Sequence, residues 1–115
     1  MDTTNAVSAL AALAHASRLD AFRLLVQAGP KGLAASKISE ALAIAPSSLS
    51  FHLKELAHAG LVSARQDGRF VIYVAVYPAM NALLAFLTTN CCGGNPCLPV
   101  GALAFAPAAA TGALK

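Results

Sequence analysis

Apolar residues recur with a helical period over most of the first ninety positions, and the period is broken by one stretch of strand-like residues. Val7, Leu10, Ala11 and Ala14 follow the capping candidates Asp2, Thr3 and Thr4 and predict a first helix to about His15. Leu19, Phe22 and Val26, with Leu25 beside them, give a second helix with one buried face, stopped by Gly29-Pro30. Lys31 and Gly32 form a short connection. Ile38 and Leu42 supply one apolar side of a third, short helix over residues 35–43.

Residues 45–60 read as a fourth helix. Pro46 suits a first turn, where backbone N–H groups have no partner, and Gly60 suits the position just past the end. Leu49, Leu53 and Leu56 fall on one face, which leaves Ser47, Ser48, Phe51, His52, Lys54 and Glu55 pointing elsewhere. A short helix, a tight turn at Ile44-Ala45 and a helix with a small polar N-terminus make a helix-turn-helix. Residues 61–65 and 70–77 are rich in β-branched and aromatic types around the turn signal Asp67-Gly68, so they predict a two-stranded hairpin. A hairpin in that place is the wing of a winged helix. Helical spacing returns after Pro78 at Met80, Leu83, Leu84 and Leu87 in a fifth helix ending near Asn90.

The expected fold is therefore mainly α with a small β-hairpin, a winged helix-turn-helix over residues 1–90. A cysteine segment follows at 91–97, and then a tail at 98–115, rich in Pro, Ala and Gly and expected to be disordered. At 115 residues the chain supports one small domain, and much of its 57% hydrophobic content is alanine. Such a core has limited volume, so a homodimer interface is expected to supply further burial. The first and fifth helices are the candidates for pairing across a two-fold axis, through Val7, Leu10, Leu83, Leu84 and Leu87.

Net charge is +3, and every basic residue except Lys115 lies between Arg18 and Arg69. That places the positive surface in the middle of the chain, compatible with nucleic acid and equally with a solvated face. The uncharged run from Ala82 to Leu114 is interrupted by polar residues, prolines and glycines, so no membrane span is expected. With no charged-then-apolar N-terminal segment, a cytoplasmic location is expected. No paired acid and base, nucleophile triad or phosphate loop is present, so the chain does not read as an enzyme.

Cys91, Cys92 and Cys97 are the chain's three cysteines, set around Gly-Gly-Asn-Pro. An odd count in a cytosolic chain argues against a disulfide framework and for metal or redox chemistry. Three thiols with no nitrogen or oxygen ligand alongside suit a soft three-coordinate ion better than four-coordinate zinc. Trivalent arsenic, or antimony, completes its shell with three thiolates. Neighbouring residues on a regular helix diverge by about 100°, so the chain must unwind at Cys91 and Cys92 for both sulfurs to reach one atom.

The run Ala11-Ala12-Leu13-Ala14-His15-Ala16-Ser17-Arg18-Leu19, the serine-rich helix from Pro46 to Leu56 with its exit Ala59-Gly60-Leu61-Val62, and Asp67-Gly68-Arg69 leading into Tyr73 together resemble the ArsR (ArsR/SmtB) family of metalloregulatory repressors. The resemblance spans roughly residues 8–90. It implies a homodimeric winged-helix repressor that binds double-stranded operator DNA and releases it when a metal ion binds. The chemistry of the fourth helix agrees with a DNA role: Ser47, Ser48 and Ser50 let the backbone approach the groove, His52 and Lys54 extend that surface, and Arg69 at the wing tip, with Arg65 a second candidate, can reach a phosphate. Phe51 departs from the Arg or His often found there in relatives and is expected either to pack on a thymine methyl or to cover the domain. Arg18 corresponds to a recurrent family arginine and reads as a structural, ion-pairing residue. His15 and His58 read as surface or packing residues.

Two sensor sites of the family are missing. The third helix has no Cys-x-Cys, and the fifth has no His or carboxylate. Arsenic-responsive members with a C-terminal Cys-Cys and a nearby Cys are similar, which makes As(III), or Sb(III), the expected effector, held by Cys91, Cys92 and Cys97. A thiol redox or Cd/Pb sensor of the same fold, and a winged-helix protein-interaction module, are the alternatives.

Overall fold

Asp2 opens the first helix in the computed structural model, which describes residues 1–94. The expectations placed on Cys97 and on the tail 98–115 lie outside the described residues. The Asp2 carboxylate accepts from the backbone N–H of Asn5 at 2.8 Å, so an orphan donor of the first turn is satisfied and α1 runs Thr3–Leu13. Its core face is unexpected. Ala6, Ala9 and Ala12 point inward, while Val7 and Leu10 are 58% and 42% exposed. The small side chains let α1 lie close on α2, α4 and α5.

Helix α2 (Ala16–Ala28) takes His15 as its N-cap, with Nδ1 accepting from the Ser17 N–H at 3.1 Å. Ala21, Phe22 and Leu25 form its buried face, Val26 sits half-buried at the margin, and Leu19, expected inside, is exposed. Helix α3 (Ala35–Leu42) ends with Ala43 in the left-handed region at φ 54°, and the Ile44 N–H returns to the Ser39 carbonyl at 3.2 Å. The Ser39 hydroxyl donates to the Ile44 carbonyl and closes the same turn. Helix α4 (Pro46–His58) then starts with Pro46 in its first turn. Its end is a two-bond cap: the N–H groups of Gly60 and Leu61 bond the carbonyls of Ala57 and Leu56, each at 3.0 Å, with Gly60 at φ 78°. Leu61 is buried against the core beside Leu56, the apolar contact that accompanies such caps.

The sheet has three strands, not two. β2 (Val62–Asp67) and β3 (Phe70–Ala75) form the antiparallel wing, joined by Gly68-Arg69 with Gly68 at φ 63°. A third strand, β1 (Leu33–Ala34), pairs on the other edge of β3 through Leu33 with Tyr73 and Ala34 with Ile72, giving the order β1-β3-β2. Gly32 makes this pairing possible. At φ 68° it is buried so close to β3 that a Cβ would run into the Tyr73 carbonyl and the side chains of Val74 and Ile72.

Helix α5 (Tyr77–Thr88) is held to the body by the Tyr77 hydroxyl, which donates to the Val26 carbonyl at 3.1 Å near the end of α2. The core joins Leu25, Ile38, Leu49, Leu53, Leu56, Leu61 and Leu83 with the α1 alanines, and among the described residues it contains no buried polar or charged residue. Burial of each leucine contributes roughly 1.5–3 kcal/mol. No helix among the described residues is long and apolar enough to cross a membrane.

Candidate functional site

Leu49, Leu53 and Leu56 fix how α4 is turned, because all three are 1% exposed or less. With that seam against the core and about 100° between successive residues, Ser47, Ser50, Phe51 and Lys54 project outward, and all four are exposed. Ser48 is exposed on the flank. The serines do not cap the helix: Ala45 occupies the cap position, and no side chain bonds the first-turn N–H groups. The hydroxyls of Ser47, Ser48 and Ser50 thus remain available to an outside partner. Phe51 is 57% exposed and meets the edge of His52 with ring centroids 5.7 Å apart, so it does not serve to cover the domain.

His52 belongs to the other flank of α4 and is half-buried. Its ring lies against His15, with centroids 4.5 Å apart, and its Nδ1 is 3.4 Å from Nη1 of Arg18. Burial, then the neighbouring His15 and the Arg18 guanidinium, hold the His52 pKa below its ordinary 6.5. Among the described residues Arg18 does not form the ion pair expected of it. Its Nε donates to the Ala12 carbonyl at 2.8 Å, a last-turn acceptor of α1 that has no helical partner. The ion pair found among the described residues is Lys37 with Glu40, at 3.9 Å on the exposed side of α3. No local sequence signal announces the Arg18–His52 contact, since it joins residues 34 apart.

Arg69 sits exposed in the two-residue wing loop, beside Phe70, which is 56% exposed. Arg65 is set back along β2, where its Nη2 donates to the Lys31 carbonyl at 3.1 Å. His58 is exposed in the last turn of α4 and approaches no set of ligands.

At the end of α5 the Thr88 hydroxyl donates to the Leu84 carbonyl at 2.9 Å, and the Thr89 hydroxyl donates to the Ala85 carbonyl at 2.7 Å. These bonds satisfy carbonyls at the helix end, and Asn90 at φ 57° turns the chain out of the helix. Cys91–Gly94 form a tight turn with Cys92 in the left-handed region at φ 56°, ψ 39°. This unwinding brings the two sulfurs to 3.8 Å. Two sulfurs sharing one ion through bonds of about 2.3 Å stand roughly 3.3–3.8 Å apart for S–ion–S angles of about 90–110°. Cys91 is an exposed free thiol, and Cys92 is disulfide-bonded in this structure. Among the described residues no three His, Cys, Asp or Glu side chains converge as a metal site, and Cys97 lies beyond them.

A second surface is apolar. Val7 and Leu10 on α1, and Leu84 and Leu87 on α5 at 47% and 56% exposure, form two rows on helices that pack together. Leu83 is placed differently: at 6% exposure it fills the core of its own chain.

Residues 13–64 match the family described as a helix-turn-helix domain. None of the curated proteins matches the chain in sequence. Among solved structures, an ArsR-like transcriptional regulator from Rhodococcus sp. RHA1 is similar over 73% of this chain and 76% of its own, with 26% identity and a TM-score of 0.65. A possible transcriptional regulator for arsenical resistance is similar over 71% of this chain and 82% of its own, with 27% identity and a TM-score of 0.63. M. tuberculosis Rv0081 is 32% identical, over 68% of this chain and 76% of its own, with a TM-score of 0.57.

Proposed function

The chain belongs to the ArsR family of winged-helix transcriptional regulators, and from that premise we propose that it is an arsenite-responsive repressor. Two copies pair through Val7, Leu10, Leu84 and Leu87 and present their α4 helices to successive major grooves of an operator. Ser47, Ser50 and Phe51 meet base edges, Lys54 meets phosphate, and Arg69 reaches backbone or minor groove beside the wing. As(III), or Sb(III), taken by the thiolates of Cys91, Cys92 and Cys97, then reorders the end of α5 and lowers DNA affinity.

The observation that carries this reading is the 3.8 Å approach of the Cys91 and Cys92 sulfurs at the end of α5, next to its exposed apolar row. Once the Cys92 disulfide is reduced, each thiolate is a soft donor, and the unwound turn removes the divergence that a helix imposes on adjacent residues. Release by an effector requires that it bind the DNA-free form more tightly, typically by about 1–3 kcal/mol of coupling. The disulfide at Cys92 favours one second reading, a thiol redox sensor on the same fold.

A gel shift on promoter DNA from upstream of the protein's own gene, under strict reduction, separates them. Arsenite is expected to release the wild-type protein with three thiols lost per bound ion, and to leave Cys92→Ser bound. Arsenite release that persists in Cys92→Ser would sink the arsenic assignment. Release by an oxidant but not by arsenite would favour the redox reading.

A further inference from the structure

The flank of α4 beside α2 carries a group of nitrogen side chains that the outward row does not account for. We propose that His15, Arg18 and His52 together hold an oxygen of a DNA backbone phosphate at the edge of the groove that α4 enters, an inference that rests on the DNA-binding reading above.

The three side chains are already gathered: the imidazoles are 4.5 Å apart and Arg18 Nη1 lies 3.4 Å from His52 Nδ1. Arg18 has five N–H donors and spends its Nε on the Ala12 carbonyl, so it is anchored and keeps N–H groups for a further acceptor. Among the described residues no carboxylate forms an ion pair with the group. Helix α1 carries no charged side chain, and α2 carries Asp20 and Arg23 besides Arg18. Helix α4 carries Lys54, Glu55 and His58 besides His52, and Glu55 lines a cleft with Arg18 and His58 without forming an ion pair. The charges that act on His52 are those of His15 and Arg18, both unfavourable to its protonation.

Such a gathering of like groups is costly alone and is relieved by an anion. The groove supplies one at the right place. A helix with its side chains is about 10–12 Å across and the major groove about 12 Å wide, so the flanks of an inserted helix abut the phosphate walls while its outward row meets the bases. A phosphate oxygen among these groups raises the affinity of His52 for a proton, so DNA binding at this flank is coupled to proton uptake. Binding is strongest below the pKa of free His52 and loses this contribution as pH rises through the higher value that His52 has in the complex.

Fluorescence anisotropy on a random duplex and on promoter DNA, between about pH 5.5 and 8, tests this with His52→Gln and with His15→Asn, which retains a capping side chain. In wild-type protein, affinity is expected to rise as pH falls. His52→Gln should flatten that rise, weaken binding at pH 6 by about tenfold on both duplexes alike, and reduce the slope of log K against log salt by about 0.9. His15→Asn should shift both quantities in the same direction by less. NMR titration of the His52 ring in wild-type protein provides a readout independent of variant folding: its pKa should rise when duplex is added. Matching pH profiles and salt slopes in wild type and His52→Gln, or an unmoved His52 pKa, would overturn the proposal. So would a rise produced by inorganic phosphate but not by duplex, which would assign the group to a free anion. Failure of the wild-type protein to bind any duplex at low salt would instead remove the DNA-binding reading beneath it.

Discussion

His52 shows how the surroundings of one side chain make stability depend on pH. Its pKa in the folded chain is below 6.5, first through burial and then through His15 and Arg18. In the unfolded chain it returns to about 6.5. Between those values the unfolded chain holds a proton that the folded chain has released, so stability rises with pH through the window and falls on acidification. The urea midpoint should therefore drop between about pH 7.5 and 5.5 in wild-type protein, and drop less in His52→Gln. Equal pH dependence in both would remove His52 as the source. At the same scale, Phe51 is left bare on α4 because its neighbours Leu49 and Leu53 take the whole core seam. An aromatic ring at that position is available to a thymine methyl, and the hydroxyls of Ser47 and Ser50 flank it.

Elements built on local punctuation were readable directly. Pro46 starts α4, Gly60 ends it and Gly68 turns the wing, each through its own backbone preference, so helix-turn-helix and hairpin follow from the sequence with small shifts at the ends. The rest depends on neighbours distant in the chain. Helix α1 has apolar residues all round, and only the close approach of its partners selects Ala6, Ala9 and Ala12 as the inner face. β1 is two residues long, too short to show an alternation, and exists because Gly32 lets the chain touch β3. The need for unwinding at Cys91 and Cys92 was legible from chemistry, whereas Arg18 meeting His52 required the fold. One element end is under local strain: Ala43 occupies a left-handed position that glycine adopts freely. Relief of that conformation outweighs the extra freedom glycine has when unfolded, so Ala43→Gly should stabilise the protein by about 0.5–1 kcal/mol. Chemical denaturation measures this, and a loss of stability would mean that the Ala43 methyl makes a compensating contact.

On the scale of the molecule, two exposed surfaces stand apart in chemistry: the polar and basic outward row of α4 with the wing, and the apolar rows of α1 and α5. Leu10 and Leu84 are exposed while Leu83 next to it is core, so a charge at the first two sites should leave the fold intact and prevent pairing. Sedimentation velocity of Leu10→Glu/Leu84→Glu should give a monomer with unchanged helical circular dichroism, and DNA binding should weaken far more than for either site's loss of area alone. A persisting dimer would place the interface elsewhere.

The dry interior limits where such a protein can be controlled. With no polar or charged residue buried among residues 1–94, acid, salt and thiol reagents find nothing inside to protonate, unpair or ligate. Among the described residues the groups open to them are exposed or half-buried: the imidazoles beside α2, the wing arginines and the cysteine turn after α5. An agent that changes charge or ligation thus meets the described fold at its margins first.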